Sequence, residues 1–173
     1  MEQEPVLLKK VIIRKALQSD AAPIIELVKS VAGKSFGRYG NEKAVRTWQA
    51  KVSPRFSALF ERDDVLVLAA YLSGEPIATA FIEQRGKEAY LGGAYSARPG
   101  TGTGKELIRR RLAWARERPD VNTITTDVFA DSCSVLFWES LGLEVIGEYI
   151  SNTFPGAKLF HLGASIAAVH DPI

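Results

Sequence analysis

Seven residues near the middle of the chain, Pro99 to Lys105, read Pro-Gly-Thr-Gly-Thr-Gly-Lys and have the composition of a phosphate-binding turn. Glycines at 100, 102 and 104 carry no side chain, so an anion could approach the backbone amides closely. A helix is predicted to begin inside this segment, and helix N-termini attract anions. The segment therefore predicts a phosphate site, or else a flexible connection that binds nothing.

Two familiar nucleotide-binding motifs do not fit these glycines. A P-loop requires a glycine five residues before its Gly-Lys pair and a serine or threonine after it, but Pro99 and Glu106 occupy those positions. A Rossmann fingerprint opens a parallel βαβ unit, whereas the strand predicted before this turn closes an antiparallel meander. The spacing leaves the pyrophosphate of another cofactor as the favoured ligand.

The elements that must position this turn follow from periodicity and turn residues. Strands are predicted at 11–16, 65–71, 76–83, 88–96, 123–129, 143–150 and 157–165. Helices are predicted at 104–118 and 133–141, and the arginines of the first are expected on a solvated face.

Two further helices are predicted between the first two strands. The first is capped by Ser19 or Asp20, and a glycine-rich loop spanning residues 33–40 follows it. The second is capped by Asn41 and closed by Pro54. The complete order, β-α-α-β-β-β-α-β-α-β-β, predicts an α/β (α+β) fold whose mixed, mostly antiparallel sheet has helices on both faces.

The composition narrows the functional classes. The chain has 173 residues, the length of one domain, so we expect residues 1–173 to form a single unit. A formal net charge of +2 is too small to indicate nucleic acid or membrane as a partner. One cysteine and two separated histidines predict neither a disulfide nor a metal site. Because Met1 to Lys10 lacks a secretory pattern, we expect a cytoplasmic protein.

Three segments in this order resemble the GNAT superfamily of N-acetyltransferases over nearly the whole chain. Gly102 and Gly104 match the glycines of the family's Q/R-x-x-G-x-G/A motif, although Pro99 stands at its basic position. Asp131 to Leu143 resembles the N-x-x-A-x-x-L-Y-E-x-x-G-F segment, with Trp138 at the tyrosine. Ile13 to Ala16 resembles the opening strand.

The resemblance implies that acetyl-CoA is the cofactor and acyl donor. Ala94 would hold the thioester oxygen through its amide, and Tyr95 and Ser96 would line the pantetheine arm. The complete set of implied cofactor-binding residues is Ala94, Tyr95, Ser96, Gly100, Thr101, Gly102, Thr103, Gly104, Lys105, Asp131, Ser134 and Phe137.

Acyl transfer to an amine also needs a general base, because an amine of pKa about 10.4 is almost entirely protonated at pH 7. Glu83 and Glu88, at facing ends of two predicted strands, are the candidates, with Glu83 preferred. A solvated hairpin end is the alternative interpretation for both. No general acid is assigned, because Trp138 has no hydroxyl and is expected to be a core aromatic.

The sequence thus predicts an acetyl-CoA-dependent N-acyltransferase in which a primary amine of a small molecule or a peptide attacks the thioester directly. A CoA-binding or regulatory module with weak chemistry is the alternative, suggested by Pro99 and Trp138. Neither hypothesis involves a metal, nucleic acid or membrane. The resemblance is compatible with a homodimer, but the residues leave the oligomeric state and the acceptor open.

Overall fold

The computed structural model describes residues 10–39 and 42–173. The strands are β1 (Ile12–Lys15), β2 (Val65–Leu72), β3 (Glu75–Arg85), β4 (Glu88–Ser96), β5 (Thr123–Phe129), β6 (Glu144–Ile150) and β7 (Lys158–Ser165). The helices are α1 (Ala21–Phe36), α2 (Glu42–Leu59), α3 (Thr103–Arg116) and α4 (Ser134–Ser140). Short 3-10 turns lie at Gln18–Asp20 and Ile166–Ala168.

Within these residues the strands form one seven-stranded sheet in the order β1-β2-β3-β4-β5-β7-β6. Every neighbouring pair is antiparallel except β4 and β5, which run parallel. Helices cover both faces, so the predicted fold class and element order are confirmed. No helix in the described part of the chain is long and apolar enough to cross a bilayer.

The two faces of the sheet bury separate sets of side chains. Helices α1 and α2 pack on the first face, against residues such as Val67 and Phe81. Helices α3 and α4 pack on the second face, against residues such as Leu91, Ile124 and Leu162. Because side chains alternate along a strand, this assignment also fixes which polar residues share each face.

The helical part of the sequence prediction is less accurate. Gly33 and Phe36 lie in α1 rather than in a loop, and Pro54 lies inside α2 rather than closing it. The apolar stripe of α2 continues to Phe56 and Leu59, which are buried, and that burial offsets the hydrogen bond that proline lacks.

Neither residue predicted to cap α1 does so, and the residue predicted to cap α2 is not among the described residues. The Asp20 carboxylate does not cap α1, because it accepts hydrogen bonds from Arg14 and from the Leu17 amide instead. Ser19 lies in the preceding 3-10 turn. Asn41, Gly40 and residues 1–9 lie outside the described residues.

A tight contact in β4 gives a stability prediction. A Cβ added at Gly92 would lie 2.5 Å from Phe81 Cζ, inside a packed core. We expect Gly92→Ala to lower the free energy of unfolding by about 1–3 kcal/mol in urea denaturation. Gly104→Ala is the control, because its Cβ meets nothing within 4 Å and it lies in a helix. An equal loss in both variants would contradict the predicted clash.

Candidate functional site

The two parallel strands in the middle of the sheet separate part-way along their length. Strands β4 and β5 are paired from Glu88 opposite Thr123 to Leu91 opposite Thr126. Beyond that point β4 continues to Ser96 and β5 to Phe129 without pairing to each other. We call the space between residues 92–96 and 127–129 the strand gap. Unpaired backbone at the centre of a sheet is available to a ligand.

A β-bulge in β4 begins at the point where the strands separate. The β3–β4 register shifts between Thr79 and Phe81, so two β4 residues, Gly93 and Ala94, oppose one β3 residue. Gly93 adopts φ +56°, a left-handed conformation that favours glycine. A bulge bends its strand and re-aims the residues that follow, which moves the end of β4 away from β5.

A buried arginine from α3 holds this bulge in place. Arg111 is 1% exposed, and its Nη1 donates to the carbonyl oxygens of Phe81 (3.0 Å) and Gly92 (3.4 Å). Its Nε donates to Leu107 O. Burial lowers the pKa of Arg111 to about 9, so the guanidinium stays charged at neutral pH. The prediction of a solvated position was therefore wrong for Arg111.

The amide of Ala94 is directed towards the strand gap. Ala97 N donates to Ile77 O across the β3 edge of β4. Amides alternate between the two edges of a strand, so Tyr95 shares that edge and Ala94 and Ser96 use the opposite one. Ala94 is exposed. One main-chain donor is thus placed between the separated strands.

The glycine turn leads from β4 into α3 and lies at the surface. Gly100 and Gly102 have φ values of +82° and +78°, and a Cβ added at Gly100, Gly102 or Gly104 would meet nothing within 4 Å. No side chain in the described part of the chain caps helix α3, and Glu106 N is the first of its amides to donate to a described acceptor, Gly102 O, at 3.2 Å. Among the described residues the preceding amides of Thr103, Gly104 and Lys105 donate to no acceptor. Gly104 and Lys105 are exposed, whereas Thr103 is buried at the base of the turn.

Side chains around the turn stabilise its shape. Thr101 Oγ1 donates to Arg98 O (3.1 Å) and lies 2.8 Å from Thr103 Oγ1. Lys105 Nζ donates to Ile173 O. The exposed arginines of α3 are also engaged: Arg109 donates to Pro172 O, and Arg116 pairs with Asp171. These contacts place residues 169–173 along α3 instead of leaving its basic face fully solvated.

The second resemblance segment lies after β5, across the strand gap from the glycine turn. Asp131 is exposed and accepts a hydrogen bond from the Tyr39 hydroxyl at 2.7 Å. Ser134 begins α4, and Phe137 is half-buried in a 5.5 Å edge contact with Trp138. Trp138 is 7% exposed in the core of the second face. It is therefore a packing residue, as expected.

Aromatic side chains line the first face of the strand gap. Phe36 of α1 makes ring contacts with Trp48 (5.1 Å), Tyr95 (6.4 Å), Phe129 (5.6 Å) and Phe154 (5.1 Å). Two of these rings come from the ends of β4 and β5 themselves. The cluster makes the mouth of the gap apolar, which lowers the local dielectric and strengthens nearby polar interactions.

The two carboxylates predicted as bases are both engaged. Glu83 forms ion pairs with Arg62 (2.8 Å) and Arg85 (2.9 Å). Burial would raise the pKa of Glu83, but the hydrogen bonds from Arg85 and Arg62 outweigh it and hold the pKa below its ordinary value. Glu88 accepts a hydrogen bond from Thr125 Oγ1 at 2.6 Å. A carboxylate held in two ion pairs is a weak base.

A second polar cluster lies on the first face and was not found by sequence reasoning. His161 Nδ1 of β7 lies 2.8 Å from Asp127 Oδ1 of β5, and the two residues pair directly across the strands. Tyr90 and Tyr149 lie close enough that Asp127 contributes, after burial, to raising the pKa of each phenol. Only the strand register brings these four residues together, so the linear sequence gave no signal for the cluster.

Known proteins resemble this chain in fold but not in sequence. The sequence matches no protein-family model and no curated protein. Its fold does match solved structures, among them the PaiA N-acetyltransferase of Thermoplasma acidophilum in complex with coenzyme A. That match has a TM-score of 0.72 and 16% identity, and covers 90% of this chain and 99% of the other. A GNAT-family acetyltransferase from Streptococcus pneumoniae matches with a TM-score of 0.64 and 15% identity, over 90% and 99% of the two chains. This chain has the GNAT fold.

One of the structures that this chain resembles is named for its acceptor. An aminoglycoside 6'-acetyltransferase matches with a TM-score of 0.69 and 13% identity, over 93% of this chain and 99% of the other. Identities this low establish the fold alone, so function must be argued from the residues of the site.

Proposed function

We propose that this protein is an acetyl-CoA-dependent N-acyltransferase that acetylates a primary amine. The observation that carries the proposal is the start of α3 beside the strand gap, where the amides of Thr103, Gly104 and Lys105 have no acceptor among the described residues and Gly104 and Lys105 are exposed. Amides at a helix N-terminus can donate hydrogen bonds to a pyrophosphate, and an opening between two strands can accommodate the extended arm of a thioester. The GNAT fold and a coenzyme A complex of one structural neighbour support the same function.

The donor would be held by groups on both sides of the gap. The glycine turn, Gly100 to Lys105, would contact the pyrophosphate, and Tyr95 and Ser96 the pantetheine arm. Ala94 would donate its amide to the thioester oxygen, which gains negative charge as the amine attacks. Asp131, Ser134 and Phe137 would lie on the β5 side of the arm. Direct attack requires no covalent enzyme intermediate, so the exposed Cys133 has no catalytic role.

Glu83 remains the base predicted from the sequence, but its two ion pairs argue against that role. An arginine-paired carboxylate has a low proton affinity, and breaking the pairs to accept a proton would cost their interaction energy. Glu83→Gln should therefore leave the pH dependence of transfer close to that of the wild-type protein. A variant that lost transfer selectively at low pH would restore Glu83 as the base.

Thiol release with four amine classes tests the proposed function. Purified protein would be mixed with acetyl-CoA and, in turn, spermidine, kanamycin, an alanyl peptide and a lysyl peptide, and free thiol would be measured over time. Amine-dependent thiol release with at least one acceptor is the expected result. Acetyl-CoA binding without release would instead favour the CoA-binding or regulatory alternative, and absence of binding would contradict both.

The oligomeric state is a separate proposal. Strand β6 is an edge strand and exposes Val145, Ile146 and Ile150, which are 42%, 58% and 55% accessible. Exposed apolar residues along an unpaired edge favour association between chains, so we propose a homodimer. Light scattering that returned the mass of one chain would contradict it.

A further inference from the structure

We propose that His161, oriented by Asp127, is the general base that deprotonates the amine acceptor. This inference rests on the proposed acyltransferase function and adds a catalytic residue to it. The pair lies where the two central strands separate. Leu91 and Thr126 form the last β4–β5 pair, so Asp127 is the first β5 residue at the strand gap. His161 pairs with Asp127 from the other side.

The pair lies on the face from which an acceptor can reach the gap. Asp127 shares its strand phase with Thr125 and Phe129, and Phe129 contacts the aromatic cluster of the first face. Helices α1 and α2 pack mainly against the β2–β4 side of that face. The side chains of His161 and Asp127 are 32% and 20% exposed, so they are accessible yet partly desolvated.

The hydrogen bond within the pair selects the tautomer that a base requires. The Asp127 carboxylate accepts from Nδ1–H of His161, at 2.8 Å. Nε2 then carries the lone pair, and among the described residues no partner engages it. A carboxylate behind a histidine fixes the ring and stabilises the imidazolium that forms when Nε2 takes a proton. The same logic holds in unrelated hydrolases.

The neighbouring groups leave His161 as the best-placed base. Asp127 of β5 holds His161, and Tyr90 of β4 and Tyr149 of β6 both interact with Asp127. Arg85 stacks on the Tyr90 ring at 3.9 Å. The positive charge of Arg55 in α2 acts in the opposite direction on the pKa of Tyr149. Burial raises the pKa of both tyrosines, so the phenols stay protonated, and Asp127 has an oxygen committed to the histidine. Histidine is the side chain that most often serves as a general base in enzymes.

The proton balance of the step is straightforward. Nε2 removes one proton from the ammonium of the acceptor, and the freed nitrogen lone pair attacks the thioester carbonyl carbon. A C–N bond forms, the C–S bond breaks, and coenzyme A leaves as a thiolate. The new amide nitrogen loses its second proton, the thiolate takes up one proton, and the imidazolium releases the other to solvent. The products are the N-acetyl compound, free thiol and one proton.

The test compares His161→Gln with the control His170→Gln, which changes the other histidine of the chain, an exposed residue outside the cluster. Acetyl-CoA affinity is measured by calorimetry, and kcat/KM for the amine by thiol release from pH 5.5 to pH 9.5. We expect His161→Gln to lower kcat/KM about 100- to 1,000-fold near pH 7 with acetyl-CoA affinity unchanged. The loss should shrink towards high pH, where free amine is abundant, and added imidazole should restore part of the rate. His170→Gln should match the wild type.

For a folded variant, the other possible results would each overturn the assignment of His161 as the general base. Acetyl-CoA binding and transfer by the wild type, with an unchanged rate in His161→Gln, would overturn the base assignment and leave the proposed function standing. A loss that is constant across pH and insensitive to imidazole would indicate a structural role and also overturn it. Wild-type protein that binds no acetyl-CoA, or binds it without transfer, would remove the proposed function and this inference together. If His161→Gln fails to fold, Asp127→Asn decides by the same readouts, because an amide in place of the carboxylate reverses the tautomer preference.

Discussion

Replacing Gly102 by valine should weaken coenzyme A binding by roughly 10- to 100-fold, because about one charge-assisted hydrogen bond of 1.5–3 kcal/mol would be lost. Gly102 has φ +78° and stands immediately before the free amides of α3. A β-branched side chain disfavours that conformation, so the turn must shift. Any shift moves the amides of Thr103 and Gly104 away from their common target. Calorimetric titration with coenzyme A measures the effect.

Gly86→Val is the matched control for that experiment. Gly86 also has positive φ (+64°) and open space around its Cβ, but it lies in the β3–β4 turn, at the opposite end of β4 from the glycine turn. Both variants carry the same kind of backbone strain, and only Gly102→Val alters the proposed phosphate site. Equal coenzyme A affinity in the two variants would contradict the proposed location of the pyrophosphate.

Removal of the Ala94 amide should lower kcat about 100- to 1,000-fold, the usual effect of deleting one oxyanion donor. Lactic acid incorporated at position 94 replaces the N–H by an ester oxygen and keeps the methyl side chain. Without this N–H, the negative charge that develops on the thioester oxygen would lose one hydrogen bond. Coenzyme A binding should persist, because it depends mainly on the glycine turn. Single-turnover acetyl transfer measures the rate, and calorimetry checks the affinity.

The same replacement at Ala97 separates catalysis from strand stability. Ala97 N donates to Ile77 O at 2.9 Å, so its ester breaks a β3–β4 hydrogen bond without touching the strand gap. We expect the ester at position 97 to change the free energy of unfolding and to leave the rate of acetyl transfer unchanged. A normal rate with the ester at Ala94 would show that another donor holds the thioester oxygen.

Local sequence signals predicted the elements that carry the site. The bounds of β4 and β5 are those predicted, because β-rich runs define both strands and the turn at Gly86 precedes β4. The glycine turn was found because a strand-to-helix junction with alternating glycines is a local pattern. The features of this fold that depend on residues adjacent in sequence are therefore the ones that the sequence predicts.

The errors concern features that depend on tertiary packing. Pro54 sits inside α2 because the apolar face beyond it is buried, which a local rule for proline does not include. Arg111 lies in the apolar stripe of α3, four residues after Leu107, and is buried there although its charge favoured a solvated face. Bulge carbonyls supply its hydrogen-bond partners, and the bulge itself was not predictable.

The Asp127–His161 pair shows a further limit of sequence reasoning. The two residues lie 34 positions apart and meet only through the β5–β7 register. Strand periodicity can place a residue on a face of its strand, but it does not say which strands are neighbours. Because β7 inserts between β5 and β6, the sheet order is not the chain order, and the polar cluster appears only in the folded protein.

An amide-resolved NMR titration with coenzyme A would locate the cofactor contacts residue by residue. In ¹⁵N-labelled protein, the account predicts the largest shift changes at the amides of Thr103, Gly104 and Lys105, with smaller changes at Ala94 and Ser96. The amides at Gly74 and Gly86 should stay fixed. An unchanged spectrum at about 1 mM ligand, a concentration that detects even weak binding, would contradict the account, as would changes confined to residues away from the glycine turn and the strand gap.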